Sequence, residues 1–216
     1  MGRNLEKDAV EIAAKNQRIL ENGFRIFAEN TIEKVTMNDV AKAAGIAISS
    51  LYRYYSTKPK LVMAISTWAW KAYTEENEKR EAELVRPDRT AAEMFDFYLE
   101  SFVDLYRNHK DLLRFNQFFN IYLTSGEIPR EEIQPYMDMI SGLEKRFGRI
   151  YRKAQQDHTL CTDISEKEMF SATLHLMMAV VTRYAIGLVY NGETDDEELR
   201  MQKEMLIQRF TREESS

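Results

Sequence analysis

An all-α protein is the fold class that three features of the sequence favour. Proline and glycine are scarce, at 4 and 8 of 216 residues, so few positions interrupt a helix. Leu, Met, Ala, Glu, Lys and Arg, the strong helix formers, are abundant, and β-branched residues form no alternating runs. Apolar residues instead recur every three or four positions over long stretches, which is the helical period. With 44% apolar and 30% charged residues, the chain can bury the cores of one or two soluble domains.

The elements follow in order. From Asp8 to Ala28, the residues Ile12, Ile19, Leu20, Gly23, Phe24, Phe27 and Ala28 share one helical face, with Lys15, Arg18, Glu21 and Arg25 mostly outside it. After a break near Asn30, Thr36 can cap a short second helix through Val40, Ala41, Ala43 and Ala44, with Asp39 at its positive end. Gly45 is the residue best able to take the left-handed conformation that closes it. Ile48 to Tyr55 then makes a third helix of about two turns, apolar at Leu51, Tyr54 and Tyr55 and polar at Ser49, Ser50, Tyr52 and Arg53. Thr57-Lys58-Pro59 starts a long fourth helix. Beyond Arg86-Pro87-Asp88 a fifth carries Phe95, Tyr98, Leu99, Phe102 and Leu105, followed by an aromatic segment from Leu112 to Leu123 and a loop from Thr124 to Pro129. Arg130 to Gln156 keeps three-and-four spacing over more than three heptads. Ser165 with Glu168 forms a capping box for the next helix, up to Asn191-Gly192, and the last runs from Thr194 to about Arg212.

Composition excludes several classes. The lone Cys161 can form no intramolecular disulfide, and the amino terminus lacks a secretory signal, so a cytoplasmic protein is expected. No window approaches the ~18 uninterrupted apolar residues of a bilayer span, so no membrane partner is expected. Neither a metal nor another cofactor is expected: His109, His158 and His175 follow Tyr106, Gln155 and Ala172 by three residues, which leaves no Glu-x-x-His pair. The acidic run Asp195-Asp196-Glu197-Glu198 reads as a helix start. There is no Gly-x-Ser-x-Gly and no phosphate-cradling glycine loop, so no catalytic residue is assigned and an enzyme is not expected. The net charge of −5 is unevenly spread: residues 1–60 hold 10 Lys/Arg against 7 Asp/Glu, a balance of +3, and the rest 20 against 28, a balance of −8. A small basic module on an acidic body is a pattern suited to a polyanion.

A capped short helix, a glycine turn and a second short helix with a polar face make a helix-turn-helix at about 36–55, whose second helix enters the DNA major groove. The stretch from Thr36 to Tyr55, followed by Ser56-Thr57-Lys58-Pro59-Lys60-Leu61, resembles the TetR family (TetR/AcrR) of bacterial transcriptional regulators over residues 10–62. Leu51-Tyr52-x-Tyr54-Tyr55-x-x-Lys58 is close to that family's run Leu-Tyr-x-Tyr-Phe-x-x-Lys. The resemblance implies a helix-turn-helix DNA-binding domain at 1–60 and a larger helical ligand-binding and dimerisation domain at 61–216. It further implies roles in binding DNA. Thr36 would cap and touch phosphate, Tyr52 and Lys58 would hold phosphates, and Ile48, Ser49, Ser50 and Arg53 would lie on the recognition face. Arg53 has the fork that suits guanine or phosphate. The chain departs from the family at Ala47, where a capping Ser or Thr is common, and at Ile48, often a polar position.

For the second domain the resemblance implies a sensing body and a homodimer formed by helices at about 166–190 and 196–212. Tyr98, Phe102, Phe118, Tyr122, Met139, His175 and Met178 are candidates for an apolar pocket with a few polar groups, the usual make-up of a small-molecule site. His175 and Arg183 stand out as polar residues on a Leu-, Met- and Val-rich helix. The expected function is therefore a ligand-responsive repressor that binds a palindromic operator as a homodimer and is released by a small, mostly apolar effector. An all-α enzyme and a helical protein-binding adaptor are the alternatives; turnover or bound metal would mark the first, and absence of salt-dependent DNA affinity the second.

Overall fold

The computed structural model describes residues 5–84, 89–125, 128–187 and 196–211. Among them it contains nine helices: α1 (Leu5–Glu29), α2 (Met37–Ala43), α3 (Ile48–Tyr54), α4 (Lys58–Leu84), α5 (Ala91–Asn108), α6 (Lys110–Ser125), α7 (Arg130–Asp157), α8 (Glu166–Ile186) and α9 (Asp196–Phe210). The extended backbone among these residues is a single bridge between Leu160 and Thr211. The helices fall into two compact units, Met1–Ala72 with Arg114–Tyr136, and Tyr73–Leu113 with Met137–Ser216. Val85 to Asp88, Gly126-Glu127 and the expected helix ends at 188–190, 194–195 and 212 lie outside the described residues.

In the first unit α1 to α3 close around Ile19, Phe27, Ile32, Val40 and Leu51, all fully buried together with Leu61 and Ile65 of α4. The sequence places a small residue where α1 meets α4. A Cβ on Gly23 would stand 2.5 Å from Ile65 Cδ1, so a larger residue here would force the end of the buried Ile65 side chain to shift. The aromatic α6 completes this core. Phe24 packs on Trp68 at 6.0 Å and on Phe115 at 5.4 Å, Phe115 stacks on Phe119 at 5.8 Å, and Phe119 meets Tyr136 edge-on at 5.1 Å. The dense aromatic run read from the sequence is thus a wall of the amino-terminal unit.

The second unit is built on α5, which packs against α8 and α9, themselves in contact. An aromatic chain runs through its centre: Phe210 on Phe95 at 5.8 Å, Phe95 on Phe147 at 6.4 Å, and Phe147 on Tyr98 at 5.3 Å and on Phe170 at 5.6 Å. The free amides at the start of α5 are satisfied twice. Thr90 and Glu93 form a capping box, and beyond it Asp157 accepts from the Ala91 N–H at 2.8 Å while Thr159 Oγ1 accepts from Ala92 at 3.0 Å. Lys203 of α9 donates to Asp96 at 2.9 Å and Glu100 at 2.6 Å on α5. Burial alone would lower this ammonium's pKa, and the bonds to Glu100 and Asp96 outweigh it and raise it. Glu100 and Asp196 also hold Arg107, so the acidic start of α9 is both a helix terminus and an anchor for α5.

The predicted capping box of α8 is present at Ser165 and Glu168, and the helix closes at Gly187, whose φ is +103°. By length and composition α8 could cross a membrane, with a mean hydropathy of 1.3, where the sequence reading found no such stretch. Its apolar residues Met169, Phe170, Met177 and Val181 are buried, as in the central helix of a packed bundle.

Candidate nucleic-acid interface

The turn between α2 and α3 is set by local chemistry. The Ile46 N–H reaches the Ala41 carbonyl at 3.0 Å and the Gly45 N–H that of Lys42 at 3.1 Å, with Gly45 at φ +65°. This pairing ends a helix with a left-handed glycine and satisfies its last carbonyls. At the other end of α2, the Asp39 N–H donates to Thr36 Oγ1 at 3.2 Å, and the Thr36 N–H and hydroxyl both donate to Asp39 Oδ2, at 2.9 and 2.6 Å. Hydrogen bonds from the Thr36 hydroxyl and N–H hold the Asp39 carboxyl below its ordinary range. The hydroxyl proton of Thr36 is therefore committed to the cap. As expected of Ala47, no side chain caps α3.

α3 is held by its apolar side. Leu51 is fully buried, and half-buried Tyr54, Tyr55 and Ile48 pack on the same core. Two long-range bonds fix its orientation on α1: Tyr55 Oη donates to Asn16 Oδ1 at 2.7 Å and Tyr54 Oη to the Ile12 carbonyl at 3.4 Å. Burial raises the Tyr55 phenol above its ordinary pKa, so it stays a donor. Asn16 was not singled out in the sequence, where no motif marks a partner 39 residues away.

With these residues turned inward, the opposite face of α3 presents Ser49, Tyr52 and Arg53 to solvent, with Ser50 half-buried. Tyr52 is 50% exposed, which for a large aromatic ring is an unpaired surface. Lys58, in the first turn of α4, donates to the Glu33 carbonyl at 3.3 Å and lies 5.8 Å from the Tyr122 ring centroid. Desolvation lowers its pKa, and the Glu33 carboxylate opposes this. Thr36, Ser49, Tyr52, Arg53 and Lys58 thus belong to one small unit, while Ile48 contributes to its packing.

The seven pocket candidates are distributed differently. Tyr98 and Phe102 meet edge-on at 5.2 Å in the second unit. Met139 of α7 and Met178 of α8 are half-buried in that unit, and His175 is exposed on α8, as is Arg183. Phe118 and Tyr122 belong to the first unit and pack on its core. Among the described residues no three His, Cys, Asp or Glu side chains form a group able to hold a metal ion.

A glycine-closed α2 followed by an α3 that buries one side and exposes a polar, basic one is a helix-turn-helix of the DNA-binding type. The comparisons with known proteins agree. Residues 19–65 match the family described as "Bacterial regulatory proteins, tetR family". An HTH-type transcriptional regulator of Staphylococcus aureus is 39% identical over 57 residues, a match spanning 26% of this chain and 29% of that relative. YvdT, an uncharacterized HTH-type transcriptional regulator of Bacillus subtilis, is 24% identical over 177 residues, 82% of this chain and 86% of that protein. The fold is shared with FadR of Bacillus subtilis, whose structure is in complex with stearoyl-CoA: the TM-score is 0.67 at 16% identity, over 89% of this chain and 96% of that one. Residues 19–65 thus carry the domain of the tetR family of bacterial regulatory proteins, and the relatives are described as HTH-type transcriptional regulators.

Proposed function

We propose that this protein is a ligand-responsive transcriptional repressor that binds a palindromic operator as a homodimer and leaves it when a small, mostly apolar effector binds the second unit. The observation that carries the reading is the exposed face of α3, with Ser49, Tyr52 and Arg53 in solvent and Leu51 wholly buried behind them. Such a face suits base edges and phosphates. Lys58 is assigned to a phosphate contact flanking that face, Thr36, whose N–H and hydroxyl are both held by Asp39, to the cap that sets it, Ser50 to its partly buried margin, and Ile48 to its packed edge, with a thymine methyl in reach.

The homodimer reading is supported by apolar side chains left uncovered on α8 and α9: Leu176 is 46% exposed, Ile186 45%, Met201 58% and Met205 63%. On α8, Ala172, Leu176, Ala179, Arg183 and Ile186 recur at helical spacing along one exposed stripe. A monomer would leave this stripe in water, and a twofold partner offering the same stripe would bury it. Two recognition helices about 34–36 Å apart would then meet successive major grooves. α4 begins in the first unit and continues into the second, so an effector could act on operator affinity through it. The effect is bounded by the effector's preference between the two states, about 1–3 kcal/mol. The structural neighbour solved with stearoyl-CoA supports a small-molecule effector with an apolar part.

The test is to incubate purified protein with sheared genomic DNA from its source at near-physiological salt and to sequence what it retains. The expected result is an enriched palindrome. A folded dimer that enriches none, with no small molecule bound, overturns the reading.

A further inference from the structure

The exposed face of α3 is carried by a helix of seven residues, about 10 Å long, that has one fully buried side chain, Leu51, and no side-chain cap at its start. Apolar packing is non-directional, so Leu51 and its half-buried neighbours set how deep the helix sits more firmly than how it is rotated. Hydrogen bonds are directional. The short bond from Tyr55 Oη to Asn16 Oδ1, at 2.7 Å, is supported by a longer one from Tyr54 Oη to the Ile12 carbonyl, at 3.4 Å. Its acceptor is well anchored: Asn16 lies one turn before the fully buried Ile19, whereas the preceding turns of α1 are open to solvent, with Val10 70% and Ile12 56% exposed. The Tyr55 backbone is extended, at φ −133° and ψ 102°, and Arg53 stands between the Leu51 pivot and this tied end. Tyr55 also occupies the place of the phenylalanine in the family's run Leu-Tyr-x-Tyr-Phe-x-x-Lys. Its ring packs on the core as a phenylalanine would, and the hydroxyl is what reaches α1.

We infer that Asn16 and Tyr55 are positioning residues for base recognition: their bond fixes the rotation of α3 and thereby decides operator specificity, acting through Ser49 and Arg53. The inference rests on reading α3 as the helix that meets DNA and adds what holds it in register. A roll of about 10° carries a side-chain end about 8 Å from the helix axis through more than about 1 Å, enough to spoil a bidentate contact with a base edge. Phosphate contacts carry no sequence information and do not depend on that alignment. Losing the bond therefore costs discrimination between sequences and spares affinity for DNA in general.

The experiment uses the full chain and a library of DNA duplexes of random sequence. The duplex that the parent protein enriches most and a scrambled duplex of the same composition are titrated at several salt concentrations. Tyr55→Phe and Asn16→Ala are each expected to lower the ratio of the two affinities about tenfold, with the affinity for the scrambled duplex and its salt slope unchanged. The double variant is expected to fall no further than the weaker single one, because both changes remove the same bond. Asn16→Asp keeps an acceptor for the phenol and is expected to retain the parent's ratio, in which any uniform repulsion of DNA cancels. Tyr55→Phe is expected to melt within about 5 °C of the parent, as for loss of one hydrogen bond. A merely structural role would lower the folded fraction and weaken both duplexes alike. The inference is overturned if the ratio is unchanged, if both duplexes weaken equally, if the two single variants add, or if Asn16→Asp behaves as Asn16→Ala does. A parent that enriches no sequence sinks the DNA reading and this inference together, whereas a parent that enriches one while Tyr55→Phe keeps its ratio sinks the positioning role alone.

Discussion

Thr36 and Asp39 illustrate how much one short-range pair decides. Their mutual bonds start α2 and so set the register of the turn and of α3. The same chemistry recurs at Thr90 with Glu93 and at Ser165 with Glu168, and in each case hydrogen bonds to the capping residue hold the carboxyl below its ordinary value of 3.8 for Asp or 4.5 for Glu. The sign follows from linkage. A carboxylate whose folded pKa is depressed contributes stability that is complete above its unfolded pKa and is lost as pH falls through the folded one. Thermal melts between about pH 6 and about pH 3 should therefore fall below about pH 4.5, and Asp39→Asn should melt lower at neutral pH and decline less steeply; parallel curves would refute the assignment. The phosphate roles proposed for Lys58 and Tyr52 are separable by salt. Lys58→Ala should weaken operator binding and reduce the slope of log affinity against log salt by about one unit. Tyr52→Phe should weaken binding with a smaller change of slope. Unchanged affinities and slopes would remove both residues from the interface.

Among the elements, α6 has the consequence that the sequence did not announce. The run from Leu112 to Leu123 was legible as helical and aromatic, but nothing local states which core it serves. In the fold its Phe115 and Phe119 are fully buried with residues of α1 and α4, so stability of the helix-turn-helix unit depends on a helix about 50 residues further along the chain. Phe119→Ala should cost about 3–5 kcal/mol in urea unfolding, the range for a buried phenylalanine, and should abolish retention on DNA. A loss below about 1 kcal/mol would mean that α6 is dispensable to that core. α2, with a cap, an apolar stripe and a glycine stop, was readable end to end; the Thr90 cap of α5 was not read, and α8, expected to run to Asn191-Gly192, closes at Gly187. The pocket candidates were not legible as such, because periodicity identifies an apolar face without naming its partner; Phe118 and Tyr122 carry the same signature as Tyr98 and Phe102 yet belong to the other unit.

At the scale of the whole molecule the proposed homodimer rests on the apolar side chains exposed on α8 and α9. His175 and Arg183 drew notice in the sequence as polar residues on an apolar helix; in the fold they are exposed on α8. The double variant Leu176→Asp, Met205→Asp should sediment as a monomer with unchanged helical circular dichroism and should bind operator far more weakly, since each protomer then grips one half-site alone. A variant that remains dimeric would place the interface elsewhere.

By itself the sequence determined the glycine-closed turn and the caps at Thr36 and Ser165, because each is encoded within about five consecutive residues by hydrogen-bond geometry and backbone preference, and it determined the helices through apolar stripes repeated over longer stretches. The tertiary structure decided which core receives α6, that Asn16 orients α3 through Tyr55, and that the Glu33 carbonyl holds Lys58. These facts join groups 25 to 39 residues apart or more. Contacts of that kind follow from how several amphipathic faces fill one volume together, and no local pattern carries that information.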